Sequence, residues 1–184
     1  MRTEQIICNK LLDMMEDTPY NKIKVSDFVK YAGISRSSFY FYFESIEDVV
    51  NQMEDDIISA LPDASMTAAN LANKTTDDPN SFIKICNARM QKKLRMFRIL
   101  SSSNGRSGFQ RKFYERIKQI NIIYYGKSTT SDLYIEFLAE YYAGAQWGMY
   151  CWWSRHENEI SLDDINQYIE KLPKGLTDLP LQKK

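Results

Sequence analysis

Apolar residues recur every three to four positions along most of this chain, the spacing of one buried helical face. Over residues 3–17, Ile7, Leu11, Met14 and Met15 mark such a face, with Cys8 and Leu12 beside it. Thr18-Pro19 ends it, because proline cannot continue a helix and pushes its predecessor out of helical geometry. After a loop at 20–24, Val25, Phe28 and Val29 line the inward side of a short helix over 25–32. Gly33 closes that helix, as expected where the chain must turn with positive φ. Ile34 fills the corner, and Ser35 is a good N-cap for a third helix over 36–43. Ser45 caps a fourth, with Glu47 and Asp48 in its first turn, where acids suit the positive helix end. This helix runs to Leu61, before Pro62.

Residues 62–80 are small and polar, contain Pro62 and Pro79, and read as a link with room for one helical turn around 66–71. Three longer helices are predicted at about 79–101, 109–125 and 131–155, separated by the loop SSSNGRSG and by Gly126. A last helix starts after Ser161, with Asp163 and Asp164 in its first turn, and ends near Leu172-Pro173. With 7 Gly and 5 Pro in 184 residues, helix breakers are scarce. The expectation is an all-α protein with two parts. Residues 1–61 form an N-terminal three-helix helix-turn-helix module, and residues 62–184 form a C-terminal helical domain.

Charge adds a second pattern. The 24 basic and 24 acidic residues cancel, so net charge neither announces nor excludes nucleic acid. They are segregated, however. Residues 81–127 hold twelve Lys and Arg against Glu115, while residues 44–80 hold nine acids against Lys74. The basic stretch has three open readings: a solvated face, a surface docked on the acids of 44–56, or a site for an anion drawn by Arg89, Lys93, Arg106 or Arg111. Three isolated cysteines, Cys8, Cys86 and Cys151, fit a reducing cytoplasmic setting. The N-terminus lacks a continuous apolar signal core. No run of about 18 apolar residues exists to span a membrane.

The stretch VSDFVKYAGISRSSFYFYFESIEDVV carries the most chemistry. A helix-turn-helix needs two short helices, a tight glycine turn and an apolar plug behind it. Val25, Phe28, Val29, Ala32, Gly33, Ile34, Phe39 and Phe43 supply those parts. The i,i+4 spacing of Phe39 and Phe43 makes one inward stripe. Arg36, Ser37, Ser38, Tyr40, Phe41 and Tyr42 remain for the outer face. Arginine suits guanine or phosphate, hydroxyls suit phosphate oxygens, and a phenylalanine offers only apolar contact, for instance to a thymine methyl. A core position competes with the outward one for Tyr40, Tyr42 and above all Phe41.

The segment AGISRSSFYFYFESIEDVV resembles the signature of the TetR (tetracycline repressor) family. That signature is an Ala-Gly-apolar-Ser corner, a short recognition helix ending in aromatics, then a polar N-cap and an acidic fourth helix. The resemblance covers about residues 3–61. YYAGAQWGMYCWW followed by ISLDDINQYIEKL is similar to the closing two helices in one branch of the family. The resemblance implies contacts to operator DNA from Arg36, Ser37, Ser38, Tyr40, Phe41 and Tyr42, and backbone-level phosphate contacts near Lys24, Ser26, Ser45 and Ile46. The chain departs from the pattern twice. Ile46 stands where the family commonly has lysine, and Glu44 stands where a basic residue or proline is common. With six basic and five acidic residues in 1–43, this end of the chain has modest phosphate grip. Each lost phosphate contact flattens the salt dependence of binding by about one unit of slope.

For the C-terminal part the resemblance implies a pocket for a small-molecule effector and a homodimer interface. Cys86, Met90, Phe97, Phe113, Tyr124, Phe137, Tyr141 and Trp147 are candidates to line the pocket, with ordinary core as the competing reading. Gly144 and Gly148 lie inside a predicted helix, where glycine costs about 1 kcal/mol against alanine and close helix contact is the usual compensation. With Trp152 and Trp153, and with Ile165, Tyr168 and Ile169 of the last helix, they are the candidate dimer interface. A twofold dimer would also match palindromic half-sites.

An enzyme is not expected. The single histidine, His156, sits in a polar stretch without a partner at catalytic spacing, and no Gly-rich phosphate loop is present. Asp55-Asp56 and Asp163-Asp164 are adjacent pairs, which do not share a helical face. No metal cluster and no cofactor are expected. The sequence therefore points to a DNA-binding transcriptional regulator, a repressor by preference. The alternative is an interaction protein or coactivator that keeps the fold but binds a protein partner.

Overall fold

The computed structural model describes residues 3–63, 66, 81–125 and 131–172. Among them the chain forms α-helices joined by turns, with no strand. Helix α1 is Thr3–Met15, followed by a 3-10 turn at Tyr20–Lys22. Then come α2, Val25–Ala32, α3, Arg36–Tyr42, and α4, Ile46–Ala60. The C-terminal helices are α5, Ser81–Gln91, α6, Leu94–Leu100, α7, Phe109–Tyr125, α8, Asp132–Arg155, and α9, Leu162–Glu170. Most of the expected link at 62–80, including the turn around 66–71, lies outside the described residues.

Sequence signals end several helices where expected. Gly33 adopts φ 68° and ψ 32°, the left-handed conformation. The Gly33 N–H donates to the Lys30 carbonyl, and the Ile34 N–H reaches back to Val29 at 3.0 Å. This pair of bonds satisfies the last carbonyls of α2 and turns the chain sharply. Ser35, Ser45 and Ser161 each accept a hydrogen bond from the backbone three residues on. At α9 the cap is reciprocal, since the Asp164 carboxylate also accepts from the Ser161 N–H at 3.0 Å.

One expectation fails at the helix predicted over 79–101. It is broken between Gln91 and Leu94, where the Lys93 N–H closes a tight turn onto the Met90 carbonyl at 2.8 Å and Lys93 takes φ −119°, ψ 3°. No glycine or proline marks this break. It turns α6 so that Leu94, Phe97, Ile99 and Leu100 are all buried. Packing overrides the propensity of a sequence that would support one helix.

Helix α4 joins the two halves of the molecule. It packs on α1 and the 3-10 turn on one side and on α5, α6 and α7 on the other. Its apolar face, with Val49, Val50, Met53 and Ile57 fully buried, belongs to one core that runs from Ile7 to Ile165. Helices α7 and α8 form the most extensive pairing of the C-terminal part. Between α6, α7 and α8 the core is aromatic. Phe97 lies 5.1 Å from Phe113, 5.2 Å from Trp147 and 5.8 Å from Phe109, ring centre to ring centre. Beside it, the buried Asn87 of α5 accepts from the Tyr150 hydroxyl at 3.0 Å and donates to Asn166 of α9 at 3.0 Å. This chain ties three helices together through groups that would be costly to bury unpaired.

Two glycines test this architecture. A methyl group at Gly33 meets no neighbour, so only the left-handed backbone is strained. A Cβ at Gly105 would lie 2.0 Å from the Leu100 carbonyl oxygen. Gly33→Ala is therefore expected to cost about 1–2 kcal/mol, read from the denaturant midpoint. Gly105→Ala is expected to destabilise the chain more, because backbone must move.

Candidate nucleic-acid interface

Helices α2 and α3 form the helix-turn-helix. The turn at Gly33 and Ile34 sets their angle, and Phe28 and Phe39 fill the crossing edge to face, with ring centres 5.7 Å apart. Phe39 has no exposed surface and Phe43 only 6%, so both are core, as their spacing predicts. The rest of α3 points outward. Arg36, Ser37, Ser38, Tyr40, Phe41 and Tyr42 are all exposed. The position left open for Phe41 in the sequence is resolved by an exposure of 80%. The start of α3 is built from serines: Ser35 caps the Ser38 N–H at 2.9 Å, and its hydroxyl lies 2.9 Å from that of Ser37.

The flanking candidates differ among themselves. Lys24 is exposed at the N-cap of α2 and Ser26 is half-buried in its first turn. Ser45 spends its side chain on the Asp48 N–H at 3.1 Å. Ile46 is only 6% exposed, so its side chain anchors α4 and leaves the backbone as the polar group at this helix start. Glu44 is exposed, and its N–H donates to Asp48 at 3.1 Å. Glu44 thus brings an exposed negative charge next to α3 in the chain, unfavourable to a phosphate. Tyr31 of α2, 51% exposed, lies with its ring under the Lys10 ammonium at 5.8 Å. The sequence pattern did not single it out, because an outward tyrosine in a short helix has no spacing signal.

A seam of ion pairs holds this reading unit against the C-terminal helices. Glu54 of α4 has no exposed surface. Arg106, from the loop before α7, donates to both of its oxygens at 3.2 and 3.0 Å and also to Glu47 at 3.2 Å. Lys112 of α7 reaches Glu54 at 3.6 Å and pairs with Asp55. Lys93 meets Asp56 at 3.6 Å. Arg95 grips Asp13 at 2.8 Å and Glu16 at 3.0 Å, at the end of α1. The same loop contributes Asn104, whose amide donates to the Met15 and Glu16 carbonyls at 2.9 and 3.0 Å. Its own carbonyl accepts from the Tyr20 N–H at 3.0 Å. Of the three readings of the basic stretch, docking on the acids of α4 is therefore what Lys93, Arg106 and Lys112 do. An open depression of about 640 Å³ at this seam is lined by Tyr20, Arg106, Ser107, Gly108, Arg111, Lys112 and Glu115. It is charged, unlike the apolar sites typical of small molecules.

The candidate pocket residues fall into two groups. Met90, Phe97, Phe113 and Trp147 meet in the aromatic core. Cys86 is buried nearby on α5, and burial pushes its thiol up to about 12, so it acts as a neutral apolar group. Phe137 and Tyr141 do not join them. They are 54% and 48% exposed and stack on each other along the outside of α8. The Tyr124 side chain lies outside the described residues.

The candidate dimer residues also divide. Trp153 and Ile165 are 0% and 2% exposed, and Trp153 donates its indole N–H to the Ile160 carbonyl at 3.3 Å. They belong to the core of the single chain, a correction to their placement at an interface. Trp152 and Trp153 lie about 100° apart around the helix, and only one of them faces outward here. Trp152 does, at 38%, and Tyr168 of α9 at 47%. Ile169 is half-buried against the core. A Cβ added at Gly144 or Gly148 meets no atom within 4 Å, so packing among the described residues does not explain either glycine. With Leu133, Phe137, Tyr141 and Trp152 they make one exposed row along α8 at spacings of three and four residues.

Residues 9–53 match the family described as bacterial regulatory proteins, tetR family. Residues 77–175 match the family described as a transcriptional regulator C-terminal region of TetR type. The HTH-type transcriptional regulator EthR of Mycobacterium tuberculosis is 40% identical over 65 residues, 35% of this chain and 29% of that protein. The HTH-type dhaKLM operon transcriptional activator DhaS of Lactococcus lactis subsp. lactis is 34% identical over 64 residues, 34% of each chain. The chain thus spans about a third or less of the length of these relatives. Among solved structures, a dihydroxyacetone kinase operon activator, DhaS, superposes with a TM-score of 0.56 at 21% identity, over 92% of this chain and 93% of that one.

The seam makes a stability prediction. Removing one partner of a buried pair strands the other charge, which costs about 3–5 kcal/mol when nothing replaces it. Because Lys112 remains near Glu54, Arg106→Ala is expected to lose less than that range. Arg106→Ala with Glu54→Gln is expected to be more stable than Arg106→Ala alone. Urea unfolding of the wild type and the two variants checks the order.

Proposed function

The chain belongs to the tetR family of bacterial regulatory proteins, and from this we propose that it binds operator DNA through α3 and regulates transcription in the cytoplasm. The observation that carries this reading is the outward face of α3. Six consecutive positions apart from the buried Phe39 are exposed, and they combine a guanidinium, hydroxyls and aromatic rings. Such a face suits the major groove, where arginine reads guanine and tyrosine or serine hydroxyls meet phosphates. Lys24, Ser26 and the α4 start at Ser45 and Ile46 flank it at the level of the backbone phosphates. Residues 1–61 are the reading part and residues 62–184 the regulatory part.

The operator in this reading is palindromic and is bound by a homodimer. The exposed row on α8 and Tyr168 of α9 supply the apolar, small-residue surface that would bring two helices of each protomer together. A small-molecule effector would act from the aromatic core of α6, α7 and α8. Its effect reaches α4, and thus α3, through the Glu54–Arg106 seam. We favour repression as the output. The second reading, a protein partner in place of DNA, is motivated by the exposed Glu44, the apolar Ile46 and the 80% exposed ring of Phe41.

A gel shift on the DNA upstream of the gene for this chain tests the proposal. Arg36→Ala and Tyr40→Ala are each expected to weaken binding by about tenfold or more. A folded protein that shifts no DNA at low salt would leave the protein-partner reading standing. Trp152→Glu with Tyr168→Glu is expected to give a monomer in sedimentation. A variant that stays dimeric would place the interface elsewhere.

A further inference from the structure

The outward positions of α3 are not equivalent. Successive residues of an α-helix turn by about 100°. With the fully buried Phe39 taken as the inward direction, Ser37 and Phe41 stand about 160° away on either side. They point most directly out of the protein. Arg36 and Tyr40 lie on one flank, Ser38 and Tyr42 on the other. Exposure follows this order for the aromatics: 80% for Phe41, 57% for Tyr40 and 36% for Tyr42. Phe41 is the most exposed large apolar side chain among the described residues. The Ser37 hydroxyl is already within 2.9 Å of that of Ser35. Phe41 is thus the larger and freer of the two groups facing the groove floor, and Tyr42 holds it edge to face at 4.9 Å.

A phenylalanine ring has no group for a phosphate or for a base-edge hydrogen bond. In the major groove the one apolar feature of a base pair is the thymine 5-methyl group. We propose that Phe41 is a specificity-determining residue: each operator half-site carries a thymine whose methyl group packs on the Phe41 ring, while the hydroxyls of Tyr40 and Tyr42 on the two flanks hold phosphates of the groove walls. This inference rests on the DNA-binding reading of α3 and names the base that reading would recognise.

The test uses the full chain and duplexes selected from a randomised pool. Each thymine of a selected duplex is then replaced by uracil, which keeps Watson–Crick pairing and lacks only the methyl group. At one thymine per half-site, the replacement is expected to weaken wild-type binding about fourfold, the change equivalent to burying one methyl group. Phe41→Ala is expected to bind the thymine and uracil duplexes equally, and Phe41→Leu to keep part of the preference. Thermal melting of both variants confirms that they are folded, since the ring is exposed. Wild-type protein that binds its selected duplex but prefers thymine over uracil nowhere would overturn the role of Phe41 and leave DNA binding by α3 intact. So would a preference that survives in Phe41→Ala. A folded chain that selects no duplex overturns the DNA-binding reading and this one with it.

Discussion

A carboxylate with no exposed surface, Glu54 in the middle of α4, sets the constraint on which the arrangement of the two halves depends. An ionised carboxylate away from water is tolerated only when cations and hydrogen-bond donors surround it. Arg106 meets both oxygens and Lys112 stands behind. Both come from the C-terminal half, on the loop before α7 and on α7 itself. The α4 helix therefore cannot keep its charge buried without the loop at 101–108 in its present place. That loop in turn is seated on the end of α1 and the 3-10 turn by Asn104. Surface pairs such as Arg95 with Asp13 add little energy in water, but they fix the same register.

This constraint reaches the reading helix through short connections. Only three residues separate α3 from α4, and Ile46 roots the start of α4 in the core. A rotation of α4 that repacked the seam would move Phe43 and so α3. Coupling of this kind needs an element with two discrete arrangements, and densely packed side chains supply one more readily than a deformable surface. Ile46, where the family resemblance would place a lysine, commits its side chain to this anchor. Glu44, two residues before it, adds an exposed negative charge. In the proposed DNA-binding reading, specificity would then fall more heavily on the outward face of α3 than on general attraction to the backbone of DNA.

The C-terminal half separates two roles for aromatics that the composition mixes together. Phe97, Phe109, Phe113, Trp147 and Tyr150 fill the space between α6, α7 and α8 ring on ring. Phe137, Tyr141 and Trp152 lie on the outside of α8, in line with two glycines at which an added methyl group would meet no neighbour among the described residues. The buried Asn87, Tyr150 and Asn166 chain locks α5, α8 and α9 in one relative position. Trp153, fully buried, stacks on the Tyr150 of this chain with ring centres 6.4 Å apart.

Local chemistry alone determined the ends of most helices, the helix-turn-helix corner and the inward stripe of Phe39 and Phe43. Glycine at positive φ, serine caps and the period of apolar residues act within a few residues, so they are readable in one dimension. The turn that splits α5 from α6 was not, because Gln91 to Lys93 carry no breaker and packing of Leu94 and Phe97 decided it. The outward stance of Phe41, the inward turn of Trp153 and Ile165, and the exposure of Phe137 and Tyr141 were equally undecided, since each depends on which face of a helix meets a distant one. The acidic and basic blocks at 44–56 and 81–127 were visible as a pattern. Only the tertiary structure brought Glu54 and Arg106 together, because burial of a charge, unlike its sign, is set by residues far along the chain.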